Sequence, residues 1–575
     1  MPTRSLLLLW ILLTSVVDAA SVGASSAPTS TGGAASTVEA ALIDLRQAPL
    51  PGRPVANEAA VVETIYERRA NRPLWSEQAR LTSQAVQLSD RLRAAADDGL
   101  VPDDYAAQSI AVERERLSSP VGASDADWAR FDAVLTCAAV RLVTHLHYGR
   151  IDPRAAGFEL TQPRNDLDVA DVVATLAAAA QVNDVLGGVE PPFYHYGLLK
   201  TALARYRALQ SNPTLTQLPP LGRRTLHASD AYADAGALRR LLAAVGDLPG
   251  PPGDAPAPDS LDADLVDGLK RFQERHGLNP DGSLGPQTFV ELTTSFAQRV
   301  RQIELTLERW RWLPPFDRPP IIVNIPQFDL FAFQSTADRA AAIMTMKVIV
   351  GQAYPRTETP VFTGELQYVI FRPYWDIPRS ILLREMLPAI RRRPGYLEQN
   401  HLEIVRGESD AAPVLPPSAD AIAALAAGQA RLRQRPGEDN ALGLIKFLFP
   451  NAHNVYLHST PADRLFLQSR RAFSHGCIRV SDPVALARYV LRNAPGVWDD
   501  AHILAAMHGA DSVRITLRSP IPVMILYGTV QATEAGPIQF FDDLYGHDAK
   551  LQALLGLHST LGVLTSPDRK FTAHQ

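Results

Sequence analysis

The feature that most limits what this 575-residue chain can fold into is a change of hydrophobic period near Pro320. Upstream, apolar residues recur at helical spacing in Ala/Leu/Arg-rich stretches such as Val61-Val62-Glu63-Thr64-Ile65-Tyr66 and Ala237 to Val245. Downstream, short β-branched or aromatic runs are separated by Pro and Gly and read as strands: Ile321-Ile322-Val323-Asn324-Ile325, Phe328 to Phe333, Met344 to Val350 and Leu366 to Phe371. Two periods in two halves imply separate cores, so the expected class is multidomain α+β.

Composition narrows the function. Hydrophobic residues make up 46% and charged residues 20%, which excludes a chain disordered throughout. With 56 basic and 61 acidic residues the net charge is −5, so there is no global basic field for a nucleic-acid backbone. Pro (45) outnumbers Gly (35), as in a segmented architecture with extended loops.

Arg4, the apolar run Leu6 to Val17 and the small residues around Ala19 read as a signal peptide over 1–19, implying export. Left uncleaved, that run would be the one membrane tether. Residues 20–37 are rich in Ser, Ala, Gly and Thr and read as a flexible tether. A helical scaffold is expected over 38–245. Within it, Cys137 lies at helical spacing among apolar residues and reads as buried, and His145 and His147 read as structural because no matching ligand set stands nearby.

The Pro/Gly/Asp-dominated segment 246–260 reads as a linker. Beyond it, Leu261, Leu265, Leu269 and Phe272 mark one helix face, Gly277 a left-handed cap, Asp281-Gly282 a tight turn, and Pro286 the start of a second short helix. The module 261–297 resembles a peptidoglycan-binding domain on Phe272-Gln273, His276-Gly277-Leu278, Asp281-Gly282, Gly285, Thr288 and Leu292. A connecting helix is expected over 298–319 and a mainly β catalytic domain over 320–530. Residues 378–440, with helical pattern and the triplet Arg391-Arg392-Arg393, interrupt that domain as an inserted cap, and 531–575 is expected to be a C-terminal tail.

The chemistry concentrates in Tyr456-Leu457-His458-Ser459-Thr460-Pro461 and Ser474-His475-Gly476-Cys477-Ile478-Arg479-Val480. A thiol near pKa 8.5 needs an imidazole to take its proton, and His458 can serve Cys477. Strand alternation puts Tyr456 and His458 on one face, and residues 459–473 can bring Cys477 back beside them. Gly476 opens space for backbone N–H groups to meet a substrate oxyanion. The cap Ser481-Asp482-Pro483 starts a helix whose positive end favours a thiolate.

An upstream His with a downstream S-H-G-C-hydrophobic-R resembles the L,D-transpeptidase catalytic domain, and with the upstream regions the chain resembles the large periplasmic members of that family. The resemblance implies Cys477 as nucleophile and His458 as general base and then acid, with the Ser459 carbonyl orienting the imidazole. It implies the Gly476 and Cys477 amides as oxyanion donors, with the Tyr456 hydroxyl as a further one. His475 and Arg479 position the loop or touch substrate, and Ser474 is structural. The stretches 373–378 and 442–451 are also similar to the large members, making Trp375 either a wall of the acyl site or ordinary core. Ser459 stands where an acidic or amide residue is common in that subgroup and Asp376 where an amide is common, which bears on hydrogen bonding around the pocket.

The implied reaction is acyl transfer between peptidoglycan stem peptides through a Cys477 thioester, giving 3-3 cross-links, without metal or organic cofactor. Water or a wall-protein lysine as acceptor would make the same site an L,D-carboxypeptidase or an anchoring enzyme. Carbapenems are expected inhibitors and the periplasm the expected location. A papain-like hydrolase fits poorly because its Cys usually precedes its His. A non-catalytic wall-binding protein is the rival of another class, and a Cys137–Cys477 disulfide would silence the site.

Overall fold

The computed structural model describes residues 31–47, 50, 52, 54–119, 122–160, 166–222, 224–250, 259–336, 344–353, 357–534 and 537–556. The expected signal peptide lies outside them. The expected tether does so only in part: a helix runs over Thr31–Gln47, so its last seven residues are helical, and Val38 is already buried.

The first core extends from Val38 to Val189. Its axis is the helix Asp125–Tyr148, apolar on nearly all sides because other helices surround it. A reciprocal cap of Ser124 with Asp127 starts the helix, and Gly149 ends it at a φ of +81°. Cys137 is buried on this helix, and desolvation pushes its thiol up to about 12. His145 and His147 also sit inside, the first 3.0 Å from the Tyr105 hydroxyl and the second 3.1 Å from the Val189 carbonyl. Both cysteines are free thiols, so no bridge joins them.

The scaffold ends earlier than its composition implies. Helices Tyr194–Gln210 and Ala235–Val245 pack with the small module around Leu242, Leu265, Leu269 and Phe272. The first residues of the expected linker are packed against the module, its residues 251–258 lying outside the described ones: Asp247 receives a bidentate ion pair from buried Arg275, and Leu248 lies against Gly268. The module has the expected helices, Ala263–Arg275 and Pro286–Thr293, with Gly277 and Gly282 both at positive φ.

The connecting helix is Phe296–Arg311, begun by a capping box of Ser295 with Gln298. Val300, Ile303 and Leu307 face the module core, whereas Leu305 joins the core of the catalytic domain. Buried Glu308 pairs with Arg150 of the scaffold and with Arg311.

Nine strands form the main sheet: β1 Ile321–Asn324, β2 Asp329–Ala332, β3 Met344–Gly351, β4 Phe362–Phe371, β5 Ile445–Leu448, β6 Leu457–His458, β7 Ala472–Ser474, β8 Ile478–Val480 and β9 Val513–Leu526. Their order is β7-β3-β8-β6-β5-β4-β9-β1-β2, and β2 also pairs with β3, so the sheet closes on itself. The expected insertion has a core of its own around Ile404, Leu425 and Leu432. Its antiparallel sheet runs Trp375–Asp376, Arg431–Gln434, Leu402–Val405, Val414–Leu415, so the cap takes in a strand just before residue 378.

The described part of the expected tail is packed structure. Val530–Gln531 pairs with Gln539–Phe540, putting Ile538 and Phe540 in the module core, and the helix His547–Leu554 buries Leu551 against the catalytic domain. Its few apolar residues are too scattered for a periodicity argument, yet each finds a pocket made by another unit.

Candidate active site

Two rows of residues cross β4, β5, β6 and β8. Val369, Phe447, Leu457 and Ile478 lie in register and are fully buried. The adjacent row is Ile370, Lys446, His458 and Arg479. Because strand side chains alternate, one row builds the core and the other faces the opposite side. Tyr456 precedes His458 by two residues and Cys477 precedes Arg479 by two, so both share this second face. The Tyr456 and His458 rings meet edge to face with centroids 5.8 Å apart. The sequence motifs are thus brought together by the parallel β6–β8 pairing.

The Cys477 sulfur lies 3.6 Å from the Asn454 carbonyl. Burial raises its pKa, opposed by the backbone and hydroxyl donors of Tyr456 and by the positive charges of Lys446 and Arg479. No hydrogen bond joins the thiol to His458 among the described residues. His458 Nδ1 donates to the Ser459 carbonyl at 2.6 Å, leaving Nε2 as the acceptor nitrogen. Burial, with Arg479 next, lowers the imidazole pKa to about 3. Burial thus favours the neutral form of both the thiol and the ring.

Ser459 reaches the opposite way. Its hydroxyl accepts from the Leu444 and Ile445 amides at 2.8 and 3.2 Å and donates to the Leu442 carbonyl at 3.2 Å. A Cβ on Gly443 would collide with it. Ser459 thereby satisfies the turn entering β5, and its carbonyl remains available for the histidine.

Ser474 Oγ donates to the Cys477 carbonyl at 2.5 Å and accepts from the Gly476 amide at 3.1 Å. The Gly476 amide, expected to face an oxyanion, is thus committed inside the loop. The Cys477 amide has no partner among the described residues. Gly476 itself sits at a φ of +115°, a conformation that favours glycine. The expected helix begins at Pro483, capped by Asp482 accepting from the Ala485 amide at 2.9 Å.

His475 contacts Glu385 of the cap, Nε2 to Oε1 at 3.1 Å. Trp375 lies within hydrogen-bonding reach of the Tyr456 hydroxyl, which brings the cap's first strand to the site. Asp376 pairs with Arg431 inside the cap. Arg479 has a buried Nε without a partner. Arg391, Arg392 and Arg393 are exposed at the end of the helix Leu387–Arg392.

Sequence reading gave no individual role to three residues here, two of them within the 442–451 stretch it singled out. Lys446 stands with its ammonium 3.8 Å above the Tyr456 ring and, among the described residues, no carboxylate in ion-pair contact, a cation held against a π face. Its signal was present in the alternation Ile445-Lys446-Phe447, although only the β5–β6 pairing sets it beside His458. Asn451 staples the loop before Tyr456, donating to the Phe449 and Val455 carbonyls at 2.6 and 2.7 Å. Thr359 donates to the Gly476 carbonyl at 2.8 Å across 117 residues of sequence, which no local pattern reports.

Comparison with known proteins agrees with this arrangement. Residues 319–513 match the L,D-transpeptidase catalytic domain, residues 60–203 a scaffold domain, and residues 232–292 a family described as "Putative peptidoglycan binding domain". A Haemophilus influenzae protein described as "Putative L,D-transpeptidase" is 30% identical over 259 residues, 45% of this chain and 50% of the relative. The chain thus spans half the length of that relative. No helix among the described residues is long and apolar enough to cross a membrane. On these matches residues 319–513 are those of an L,D-transpeptidase catalytic domain, in a chain that also matches a scaffold domain and a peptidoglycan-binding domain.

Proposed function

We propose that this chain is a cell-envelope, periplasmic L,D-transpeptidase that joins peptidoglycan stem peptides by 3-3 cross-links. The observation that carries this reading is the common face shared by Cys477, Tyr456 and His458, with the Cys477 amide unpaired beside the thiol. Rotation of Cys477 about χ1 turns the sulfur from Asn454 toward His458 Nε2. The sulfur attacks the carbonyl of the L-centre of the donor's third residue as Nε2 takes the thiol proton. That proton then goes to the departing D-alanine amine, leaving a thioester. The side-chain amine of a second stem attacks the thioester, and the thiol is restored.

Because both groups rest neutral, proton transfer accompanies attack. The Cys477 amide and the Tyr456 hydroxyl stabilise the oxyanion, with Lys446 and Arg479 adding positive potential. Trp375 walls the donor site. Incubation with tetrapeptide muropeptides should yield dimers lacking one D-alanine, and Cys477→Ala should abolish them. Tripeptide alone would make water the acceptor, and unchanged tetrapeptide would overturn the reading. A carbapenem should add one mass to Cys477, its lactam carbonyl imitating the donor amide.

A further inference from the structure

The loop around Cys477 is held by a network that begins in the C-terminal segment, beyond the residues that match the catalytic-domain family. The Tyr545 hydroxyl donates to the Gly351 carbonyl at 2.7 Å and accepts from the Thr359 amide at 3.2 Å. The Thr359 hydroxyl accepts from the Gly351 amide at 2.9 Å and donates to the Gly476 carbonyl at 2.8 Å. Thr359 is only 1% exposed, so water does not compete for these bonds. Tyr545 is anchored in turn: its amide donates to the Tyr527 hydroxyl at 2.8 Å, and that hydroxyl donates to Asp543 at 2.7 Å.

A trans peptide is a rigid plane in which C=O and N–H point in opposite directions. Fixing the Gly476 carbonyl therefore fixes the Cys477 N–H on the same plane and aims it away from Thr359. Ser474 holds the neighbouring amide and carbonyl, and the Ile478 amide donates to the Tyr456 carbonyl at 3.1 Å. These restraints leave the Cys477 amide without a partner among the described residues, and Thr359 sets that donor's direction.

We propose that Thr359, buttressed by Tyr545, is a positioning residue that aims the Cys477 N–H at the oxyanion, making the C-terminal segment part of the acyl-transfer site. This rests on the reading of Cys477 as an acyl-accepting nucleophile. It extends that reading by naming what orients the donor. The hydroxyls touch no substrate, and their effect passes through one peptide plane.

The test compares two reactions of the same thiol in the full chain. Iodoacetamide alkylates sulfur at a saturated carbon and develops no oxyanion, whereas p-nitrophenyl acetate acylates it through one. Thr359→Val should lower the acylation rate about 10- to 100-fold and leave alkylation within about twofold. Thr359→Ser, which retains the hydroxyl, should restore acylation. Tyr545→Phe should produce a smaller loss in the same ratio, and decides the matter if Thr359→Val does not fold.

An unchanged ratio of acylation to alkylation in folded Thr359→Val or, where that variant does not fold, in Tyr545→Phe overturns the proposal, as does an equal fall in both reactions. The ester is not a stem peptide. Wild-type protein inert toward tetrapeptides but showing the Thr359-dependent ratio would therefore refute the transpeptidase reading and leave the positioning role standing.

Discussion

In the proposed reaction Cys477 starts as a thiol. Burial raises its pKa despite Tyr456, Lys446 and Arg479, while His458, lowered to about 3, stays neutral across the physiological range. A preformed ion pair would make alkylation insensitive to pH between the two pKa values; a neutral pair does not. The rate of Cys477 alkylation should therefore climb with pH and level off only above the ordinary thiol range of about 8.5. Lys446→Met removes a charge that favours the thiolate and should move that rise further upward. A rate already on its plateau at pH 6 would show that the imidazolium forms. Cys137, buried and pushed up to about 12, should stay unlabelled in the folded protein.

The turn entering β5 and the loop leaving β6 are joined through one serine. Ser459 Oγ accepts two amides, while its main-chain carbonyl holds His458. Ser459→Ala strands the Leu444 and Ile445 donors but leaves the histidine's acceptor in place. It should cost about 1–3 kcal/mol of stability in denaturant titration, with a proportionally smaller loss of acyl transfer at low temperature. Equal collapse of both would mean that the hydroxyl acts on the histidine directly. The departure from an acidic or amide residue at this position is thus accommodated by backbone amides rather than by another side chain. The cap meets the site loop through the half-exposed pair His475–Glu385, a contact worth only about 0–1 kcal/mol and so easily parted for substrate entry.

The scaffold, the module and the catalytic domain each bury a histidine that burial keeps neutral. His145 in the scaffold and His458 in the catalytic domain are both lowered to about 3, and His276 in the module is held well below its ordinary value, in every case by desolvation first. Unfolded, these rings bind protons near pH 6.5; folded, they do not. Below that value the unfolded state binds more protons, so stability is lost as pH falls from about 6.5 toward 3. At pH 5 the loss should be roughly 2 kcal/mol for each of His145 and His458. Asp132 and Asp329, raised to about 6 by burial, add stability over the same range, so the measurement compares the Tm change between pH 7.5 and pH 5 in wild type and in His145→Asn; an equal change in both would contradict the histidine's contribution. The units should melt together, because Arg275 of the module donates to the Ile538 carbonyl at 2.8 Å and Arg309 pairs with Asp548.

What the sequence determined by itself is whatever local spacing encodes. The two periods divided helical units from strands, Leu261 to Phe272 marked a helix face, and the short motifs around His458 and Cys477 singled out the residues that share one sheet face. Tertiary structure decided what depends on distant partners. Asp247 and Leu248 join the start of the expected linker to a core, the helices before it pack with the module, and the described C-terminal residues, through 556, are packed structure rather than a tail. The Gly476 amide is taken by Ser474, and the Cys477 peptide is oriented by Thr359 and Tyr545, which lie 118 positions before it and 68 after it in the numbering. Periodicity reports which face of an element is apolar; it carries no information about which remote hydroxyl or carboxylate that face will meet.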